Sequence, residues 1–177
     1  SEPVIFVVSS LSWNDQAPGA DGDGWGEYGD EQAELVAFCE AEGLTDKIIW
    51  LCGDAHMVAA DDGSNAPGGM PVLHGSAFDQ DGSKKGGTFS EGFVEGGEGA
   101  NGQYGFVTVT DDGKDIVVSF EGRNVADEAL ITLEASFEAA EEEGEEEGEE
   151  EGGGGEPTAR LYIYLNGERV PVSLGVQ

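Results

Sequence analysis

The chain contains very few basic residues. Seven lysines and arginines stand against 38 aspartates and glutamates in 177 residues, which gives a formal net charge of -31. A surface of this sign repels the phosphates of nucleic acids and of anionic lipids, and it attracts cations. The scarcity of basic side chains therefore argues against a nucleic-acid-binding protein, and we expect no nucleic acid among the partners.

The acidity is not confined to one segment. Nine of the acids lie in residues 141–151, so 29 acidic residues stand against 7 basic ones elsewhere, and that remainder still carries -22. Such a surface fits a high-salt environment or a calcium-rich exterior, and composition alone does not choose between them. We expect an extracellular or secreted protein. A highly soluble surface without a particular partner stays open as the explanation of most of these carboxylates.

Long apolar runs and cysteines are also scarce. The opening run, 4–8, is much shorter than the ~20 residues of a membrane-spanning helix and has no basic region before it, so we predict no membrane span and see no signal peptide. The first residue is Ser1, which is compatible with a piece of a longer protein whose signal peptide was removed. Cys39 and Cys52 are predicted to be buried, unpaired thiols, and Cys52 is an alternative metal or redox ligand.

The most informative segment is IIWLCGDAH, residues 48–56. Its first five residues predict a buried strand, and Gly53 allows a sharp turn at the end of that strand. Asp54 and His56 then stand together at the strand's carboxyl end, where open α/β sheets bind their ligands. One oxygen donor and one nitrogen donor suit Zn, Fe, Mn or, with more carboxylates, Ca. Asp-x-His is common by chance, so a solvated aspartate and a packed histidine stay open.

The residues before this motif predict a strand, a helix and a second strand. Pro3–Ser10 predicts a buried strand, and a helix is expected to begin with Asp30 as its N-cap and to end at Gly43. This spacing favours a right-handed unit with parallel strands. The intervening loop, 11–29, contains large aromatic rings that we expect to pack over the end of the sheet. These rings are Trp13, Trp25 and Tyr28.

His74 and Lys85 are two further candidate site residues. Met70–Ser76 predicts a strand that carries His74, and a glycine-rich loop over 77–102 carries the adjacent lysines 84 and 85. Two neighbouring cations in an acidic protein are suited to binding a phosphate. The alternatives are a hydrogen-bonded structural histidine and an ordinary exposed lysine pair.

The remaining segments predict an acidic turn and two hairpins. We interpret 57–69, which contains Asp61 and Asp62, as a solvated loop or as the lining of a metal or substrate site. In residues 103–121, apolar and polar residues alternate on both sides of a DDGKD turn, which predicts an antiparallel hairpin. Residues 129–137 predict a further edge strand.

The C-terminal end differs in composition from the rest of the chain. Residues 138–157 are rich in glutamate and glycine and predict an acidic linker. Residues 158–177 predict a terminal β-hairpin that turns at an Asn-Gly pair, and two strands must dock on something to be stable. We therefore divide the chain into 1–137, 138–157 and 158–177.

Taken in order, these segments closely resemble the C-terminal half of the PhoD-like alkaline phosphatases, a branch of the metallophosphoesterases. The similarity runs from Val4 to Phe137. It is carried by VIFVVSSLSWN, GWGEYGDEQAELVAF, IIWLCGDAHMVAADDGSN, MPVLHGSAFDQDGSKKGGTFSEG and GQYGFVTVTDDGKDIVVSFEGR. The resemblance implies an α/β fold, namely the C-terminal half of a metallophosphoesterase-type β-sandwich flanked by helices, to which the terminal β-hairpin is appended.

The resemblance also implies a chemistry and a set of residues. The family's Gly-Asp-x-His falls on residues 53–56, so Asp54 and His56 would be ligands of Fe, Ca or Zn. The implied reaction is hydrolysis of a phosphate mono- or diester, in which two cations polarise the phosphoryl oxygens and activate a water for in-line attack. The family's loop histidine and Lys-Gly-Gly match His74 and 85–87, which implies contact of His74 and Lys85 with substrate.

Two departures from the family bear on function. Intact members carry further metal ligands in an N-terminal half that is not among these 177 residues, and two ligands do not hold a dinuclear site. At Gln32 the family usually has arginine. The chain is then part of a metal-dependent phosphatase, inactive alone and completed by a partner chain, or a non-catalytic structural or filament subunit that assembles through edge strands. A calcium-binding acidic module is the third alternative.

Overall fold

The computed structural model describes residues 2–14, 24–75, 78, 80–96 and 102–139, and the backbone of 162–165 and 168–171. Within these residues the protein is mixed α/β, with a five-stranded sheet, a three-stranded sheet, one α-helix, two short 3-10 helices and a two-stranded hairpin. The α/β class expected from the sequence is confirmed.

The larger sheet has the strand order β1-β2-β4-β3-β5. β1, β2 and β4 are parallel, whereas β3 runs antiparallel to both of its neighbours. Helix α1 connects β1 to β2, so the predicted parallel strand-helix-strand unit is confirmed. The elements are β1 (Ile5–Ser9), α1 (Gly29–Ala41), β2 (Ile48–Cys52), β3 (Met57–Asp61), β4 (Val72–Gly75) and β5 (Phe93–Glu95).

Helix α1 differs from the expectation at its start and agrees with it at its end. It begins at Gly29 directly after the 3-10 turn Trp25–Tyr28, so the N-cap residue is Tyr28 and the prediction of Asp30 as N-cap is wrong. Asp30 lies in the first turn, where the helix dipole favours a carboxylate. Gly43 adopts a left-handed φ of 64°, and the amide of Leu44 donates to the carbonyl of Cys39 across 2.8 Å, which closes the helix as predicted.

The smaller sheet is antiparallel, in the order β6-β7-β8, and confirms the predicted hairpin and edge strand. Its strands are β6 (Tyr104–Asp111), β7 (Asp115–Arg123) and β8 (Ala129–Glu138). It packs on the larger sheet so closely that a Cβ atom at Gly122 would lie 2.6 Å from the Cβ of Val58. Only glycine allows that approach of the two sheets.

Apolar side chains cover both faces of the larger sheet. One face, which includes Trp50 and Val72, packs with Cys39 of α1, and the other, which includes Ile49 and Leu73, packs with the smaller sheet. The protein is therefore a sandwich-like arrangement with a helix on its outer face. Because both faces are covered, the central strands are continuously apolar rather than alternating.

Two strands were not expected from the sequence. The structure places Met57–Asp61 in a fully buried strand, β3, so the interpretation of this part of 57–69 as a solvated loop is wrong. β5 lies inside the expected loop 77–102. Apolar and polar residues do not alternate in β3, because both of its faces are covered. β5 has three residues, which is too short for an alternation of apolar and polar residues to be recognised.

The terminal hairpin is found as two antiparallel strands, β9 (Tyr162–Leu165) and β10 (Glu168–Pro171). The Asn-Gly turn and residues 140–161 lie outside the described residues. The division into 1–137, 138–157 and 158–177 stays a prediction. α1 has 13 residues, and no helix in the described part of the chain has the length and apolarity needed to cross a membrane.

Candidate functional site

The candidate site lies at the carboxyl ends of the parallel strands. Residues 10–14 follow β1, residues 53–56 follow β2, and the loop 81–92 lies across both of them through contacts with Asn14, Asp54 and His56. The chain turns sharply after β2, where the amide of Ala55 donates to the carbonyl of Gly53 across 2.9 Å. In this turn Asp54 has a φ of 71°, a left-handed conformation that is unfavourable for a residue with a Cβ atom and that often marks a functional position.

Asp54 and Lys85 form an ion pair. Lys85 Nζ donates to Asp54 Oδ2 across 2.7 Å, and the two side chains are 24% and 39% exposed. The structure thus brings together two of the residues singled out in the sequence. Lys85 neutralises the carboxylate that the resemblance assigns to a metal, so Asp54 Oδ2 would be shared between the ammonium and any bound cation.

His56 is held in a defined tautomer. Its Nδ1 lies 2.6 Å from the backbone carbonyl oxygen of Asp81, and a carbonyl can only accept, so Nδ1 is the donor in this contact and the lone pair of the neutral ring is on Nε2. The backbone carbonyl of His56 accepts from the amides of Ser83 and Gly96 at 3.3 and 3.0 Å, which fixes the residue against the loop. A histidine anchored through one nitrogen is typical of a metal ligand. His56 offers a nitrogen donor and Asp54 an oxygen donor, which are donor types that transition metals accept, but they are two donors only.

His74 lies in the core. It belongs to β4, is fully buried, and is paired in register with Cys52 of β2. Its ring nitrogens make no hydrogen bond of good geometry to the described residues, but backbone hydrogen bonding at Met57 and Gly53 acts on the ring, so a hydrogen-bonded structural histidine stays open. Burial lowers the pKa of His74 to about 4, against weaker opposing effects of backbone groups and of Asp54, so the ring is neutral at pH 7. Its contact with substrate stays a prediction.

The loop after β1 contributes two polar side chains that sequence reasoning missed. Ser12 Oγ and Asn14 Oδ1 are buried without a hydrogen-bond partner among the described residues. Asn14 Nδ2 donates to the carbonyl of Thr88 across 2.7 Å and so ties this loop to the one that carries Lys85. Their position after a parallel strand was the available signal, because side chains there meet those that follow the neighbouring strand.

The aromatic rings of the first loop pack as expected. Trp13 is fully buried and stacks on Trp50 of β2, with ring centroids 3.9 Å apart, and Trp25 meets Trp13 edge-on at 5.0 Å. Tyr28 is half exposed. Gln32 is buried, and its Nε2 donates to the carbonyl of Trp13 across 2.9 Å. At the position where the resembled family has arginine, this chain thus uses an amide to hold the tryptophan loop.

The two cysteines form no disulfide. Cys39 and Cys52 are both free and buried, as predicted. Burial raises the pKa of Cys52 to about 12, so its thiol stays protonated, and its sulfur lies 3.4 Å from the amide nitrogen of Trp13. Within the described ranges, no group of three or more His, Cys, Asp and Glu side chains is placed to hold a metal ion.

Comparisons with known proteins return no match: no family model, no curated protein and no solved structure is significantly similar to the chain. The class that the fold and the site define is a mixed α/β protein with two sheets and a polar cluster at the carboxyl ends of its parallel strands. The relation to PhoD-like phosphatases depends on the sequence resemblance, and its functional consequences are proposals.

Proposed function

We propose that this chain supplies part of the site of a metal-dependent phosphoester hydrolase, with Asp54 and His56 as ligands of Fe, Ca or Zn. The observation that carries the proposal is the state of His56. Its Nδ1 is fixed on the carbonyl of Asp81, which leaves Nε2 as a donor two residues from a carboxylate. This pair lies at the sheet edge where ligands of α/β proteins bind.

The chain's own residues have separable roles in this proposal. Lys85 is the cation nearest to Asp54 in the described structure, and it binds a phosphoryl oxygen when substrate is present. Asp54 orients that ammonium. The stacked pair Trp13 and Trp50 joins the loop after β1 to β2. A bound metal would supply Lewis-acid polarisation of the phosphoryl group.

The site is incomplete within these residues. Asp54 and His56 provide two donors, and structural or catalytic metal sites commonly take three or four protein ligands. We propose that the missing ligands come from a partner chain or from residues beyond these 177. This chain by itself is then inactive towards phosphoesters.

The test is metal content, measured by elemental mass spectrometry on the protein isolated from its source, with any co-purifying chain identified. The proposal expects stoichiometric Fe, Zn or Ca that is lost in the double variant Asp54→Ala, His56→Ala. Asp112→Ala, which removes an exposed carboxylate from the β6–β7 turn, is the control and is expected to keep the metal. A metal-free particle built from this chain alone would contradict the proposal.

A structural or filament subunit is the second candidate, and the edge of β1 favours it. β1 ends the strand order of the larger sheet, so one of its backbone edges has no neighbouring strand in the described structure. Val8 is 78% exposed on this strand. Unpaired edges with apolar side chains are suited to strand addition by another chain.

Sedimentation velocity distinguishes this candidate from the first. If β1 is an assembly edge, Val8→Lys dissociates the particle, because a charge on the edge opposes strand pairing. Val125→Lys is the matched control, since Val125 is 67% exposed in the loop after β7. Equal sedimentation of wild type and Val8→Lys would rule out assembly through this edge.

A further inference from the structure

We infer that Asp61, a fully buried carboxylate at the end of β3, is a positioning residue that holds the loop 84–92 so that Lys85 reaches Asp54. Asp61 does not contact Lys85 itself. It acts through the loop backbone. The inference concerns the formation of the ion pair and goes beyond the proposed function, because it holds whichever reaction the site performs.

Each carboxylate oxygen of Asp61 accepts two hydrogen bonds from the protein. Oδ1 accepts from the amides of Gly63 and Asn65 at 2.9 and 3.1 Å, and Oδ2 accepts from Asn65 Nδ2 at 2.9 Å and from the amide of Ser90 at 2.8 Å. A buried carboxylate is costly unless such bonds compensate for lost hydration. Three of the four bonds shape the turn after β3. The fourth crosses to the Lys85 loop.

Two further hydrogen bonds connect the end of β3 to the loop that carries Lys85. The amide of Asp62 donates to Ser90 Oγ across 2.8 Å, and the amide of Glu91 donates to the carbonyl of Ala60 across 3.1 Å. Three hydrogen bonds thus join the end of β3 to two consecutive loop residues. A buried strand is one of the most rigid parts of a fold, so the loop takes its position from β3.

The other side of the loop is fixed by residues that follow β1. Asn14 Nδ2 donates to the carbonyl of Thr88 across 2.7 Å, and a Cβ atom at Gly87 would lie 2.6 Å from the carbonyl oxygen of Asn14. Phe89 between these anchors is buried in the core. The backbone from Gly87 to Glu91 is therefore held on both sides, and Lys85 extends from it.

This anchoring explains how a partly exposed ion pair is maintained. Pairs of long, solvent-accessible side chains contribute little, because fixing them costs conformational entropy and water screens the attraction. When the backbone that carries one partner is already fixed, less entropy is lost on pairing. Removal of Asp61 is then expected to weaken the Lys85–Asp54 pair although neither of its members is changed.

The test measures the reactivity of each lysine in the folded, full-length chain with an amine-acylating reagent, followed by peptide mass spectrometry. In Asp61→Ala and Asp61→Asn we expect Lys85 to react faster than in wild type, by about tenfold in Asp61→Ala, because a charge-assisted hydrogen bond is lost. Ser90→Ala removes one of the three crossing bonds at an exposed residue and is expected to give a smaller increase. The rates of Lys47 and Lys114 should stay at wild-type values.

Asp112→Asn is the matched control. Asp112 Oδ1 also accepts two backbone amides in an acidic turn, those of Lys114 and Asp115 at 2.9 and 2.8 Å, but it lies in the β6–β7 turn. It should leave Lys85 at the wild-type rate. Faster labelling of every lysine in the Asp61 variants would indicate general unfolding. In that case the Lys85 rate in Ser90→Ala is the measurement that tests the inference. An unchanged Lys85 rate in folded Ser90→Ala, or in folded Asp61→Asn, would overturn the inference. Metal content does not enter this readout, so it can fail independently of the proposed function.

Discussion

Trp13 and Trp50 stack with ring centroids 3.9 Å apart and ring planes 4° from parallel. Trp50 belongs to β2, four residues before Asp54, and Trp13 lies in the loop that holds Thr88 through Asn14. The stacked pair therefore joins β2 to the loop after β1, and Asn14 joins that loop to the one that carries Lys85. Trp13 is fixed further by its indole nitrogen, which donates to the carbonyl of Pro67 across 3.0 Å.

Substitution of Trp13 should be among the most destabilising changes in the chain. Trp13→Ala removes a fully buried ring and a partly buried hydrogen bond, and we expect a loss of about 3 to 5 kcal/mol in the free energy of unfolding. Urea unfolding monitored by circular dichroism measures it. Tyr28→Ala, at a half-exposed ring in the same loop, is the control and should cost much less. Equal losses in the two variants would show that the stack does not contribute to stability.

The parts of the fold that were predicted have strong local signals. β1 and β2 are continuous apolar runs, Gly43 ends α1 in a conformation that glycine favours, and the DDGKD turn joins two alternating strands. β3 gives a weaker signal, because its apolar run is only four residues long, contains two alanines, which do not favour strands, and ends in an aspartate. Asp61 was misread for a related reason: it is followed by Asp62 and Gly63, so its surroundings have the composition of a solvated turn although it belongs to the strand.

The candidate site was only partly predictable. Asp54 and His56 follow a recognisable strand, so their place at the sheet edge could be expected. The pairing of Lys85 with Asp54 joins residues 31 positions apart, and no local pattern encodes it. It depends on the path of the loop between β4 and β5, which Asp61 and Asn14 determine through hydrogen bonds that only the folded chain brings together.

Stability should fall in mild acid because of His74. Its folded-state pKa, about 4, is below the ordinary value of 6.5, so the unfolded chain binds more protons between these values, and stability decreases as the pH falls through this window. We expect a loss of about 2 to 3 kcal/mol in the free energy of unfolding between pH 7.5 and pH 4.5 from this residue. The measurement is urea unfolding of wild type and His74→Leu across that range.

His74→Leu should remove this part of the pH dependence. At pH 7.5 it should be about as stable as wild type, because a buried ring whose nitrogens make no hydrogen bond of good geometry is replaced by an apolar side chain. A His74→Leu variant with the same pH profile as wild type would show that His74 is protonated or solvated in the folded state.

Salt should stabilise the protein. With a net charge of -31, mutual repulsion of carboxylates opposes the compact state, and screening by salt reduces it. We expect Tm to rise between 0.05 and 1 M NaCl by roughly several degrees, as measured by differential scanning calorimetry. Deletion of residues 141–151 removes nine glutamates but leaves a charge of -22, so most of the effect should remain. A Tm independent of salt would show that repulsion between carboxylates does not limit the stability of the folded chain.

Gly87→Ala tests whether the close contact between the two loops forms the site. A Cβ atom at this position would lie 2.6 Å from the carbonyl oxygen of Asn14, and backbone cannot yield as a flexible side chain does. We expect a loss of about 1 to 3 kcal/mol in the free energy of unfolding and faster acylation of Lys85, because the loop must move away from Asn14. Gly29→Ala, where a Cβ atom meets nothing within 4 Å, is the control and should keep the wild-type Lys85 rate. If Gly87→Ala also keeps that rate, the contact with Asn14 does not position the loop, and the anchoring depends on the Asp61 side alone.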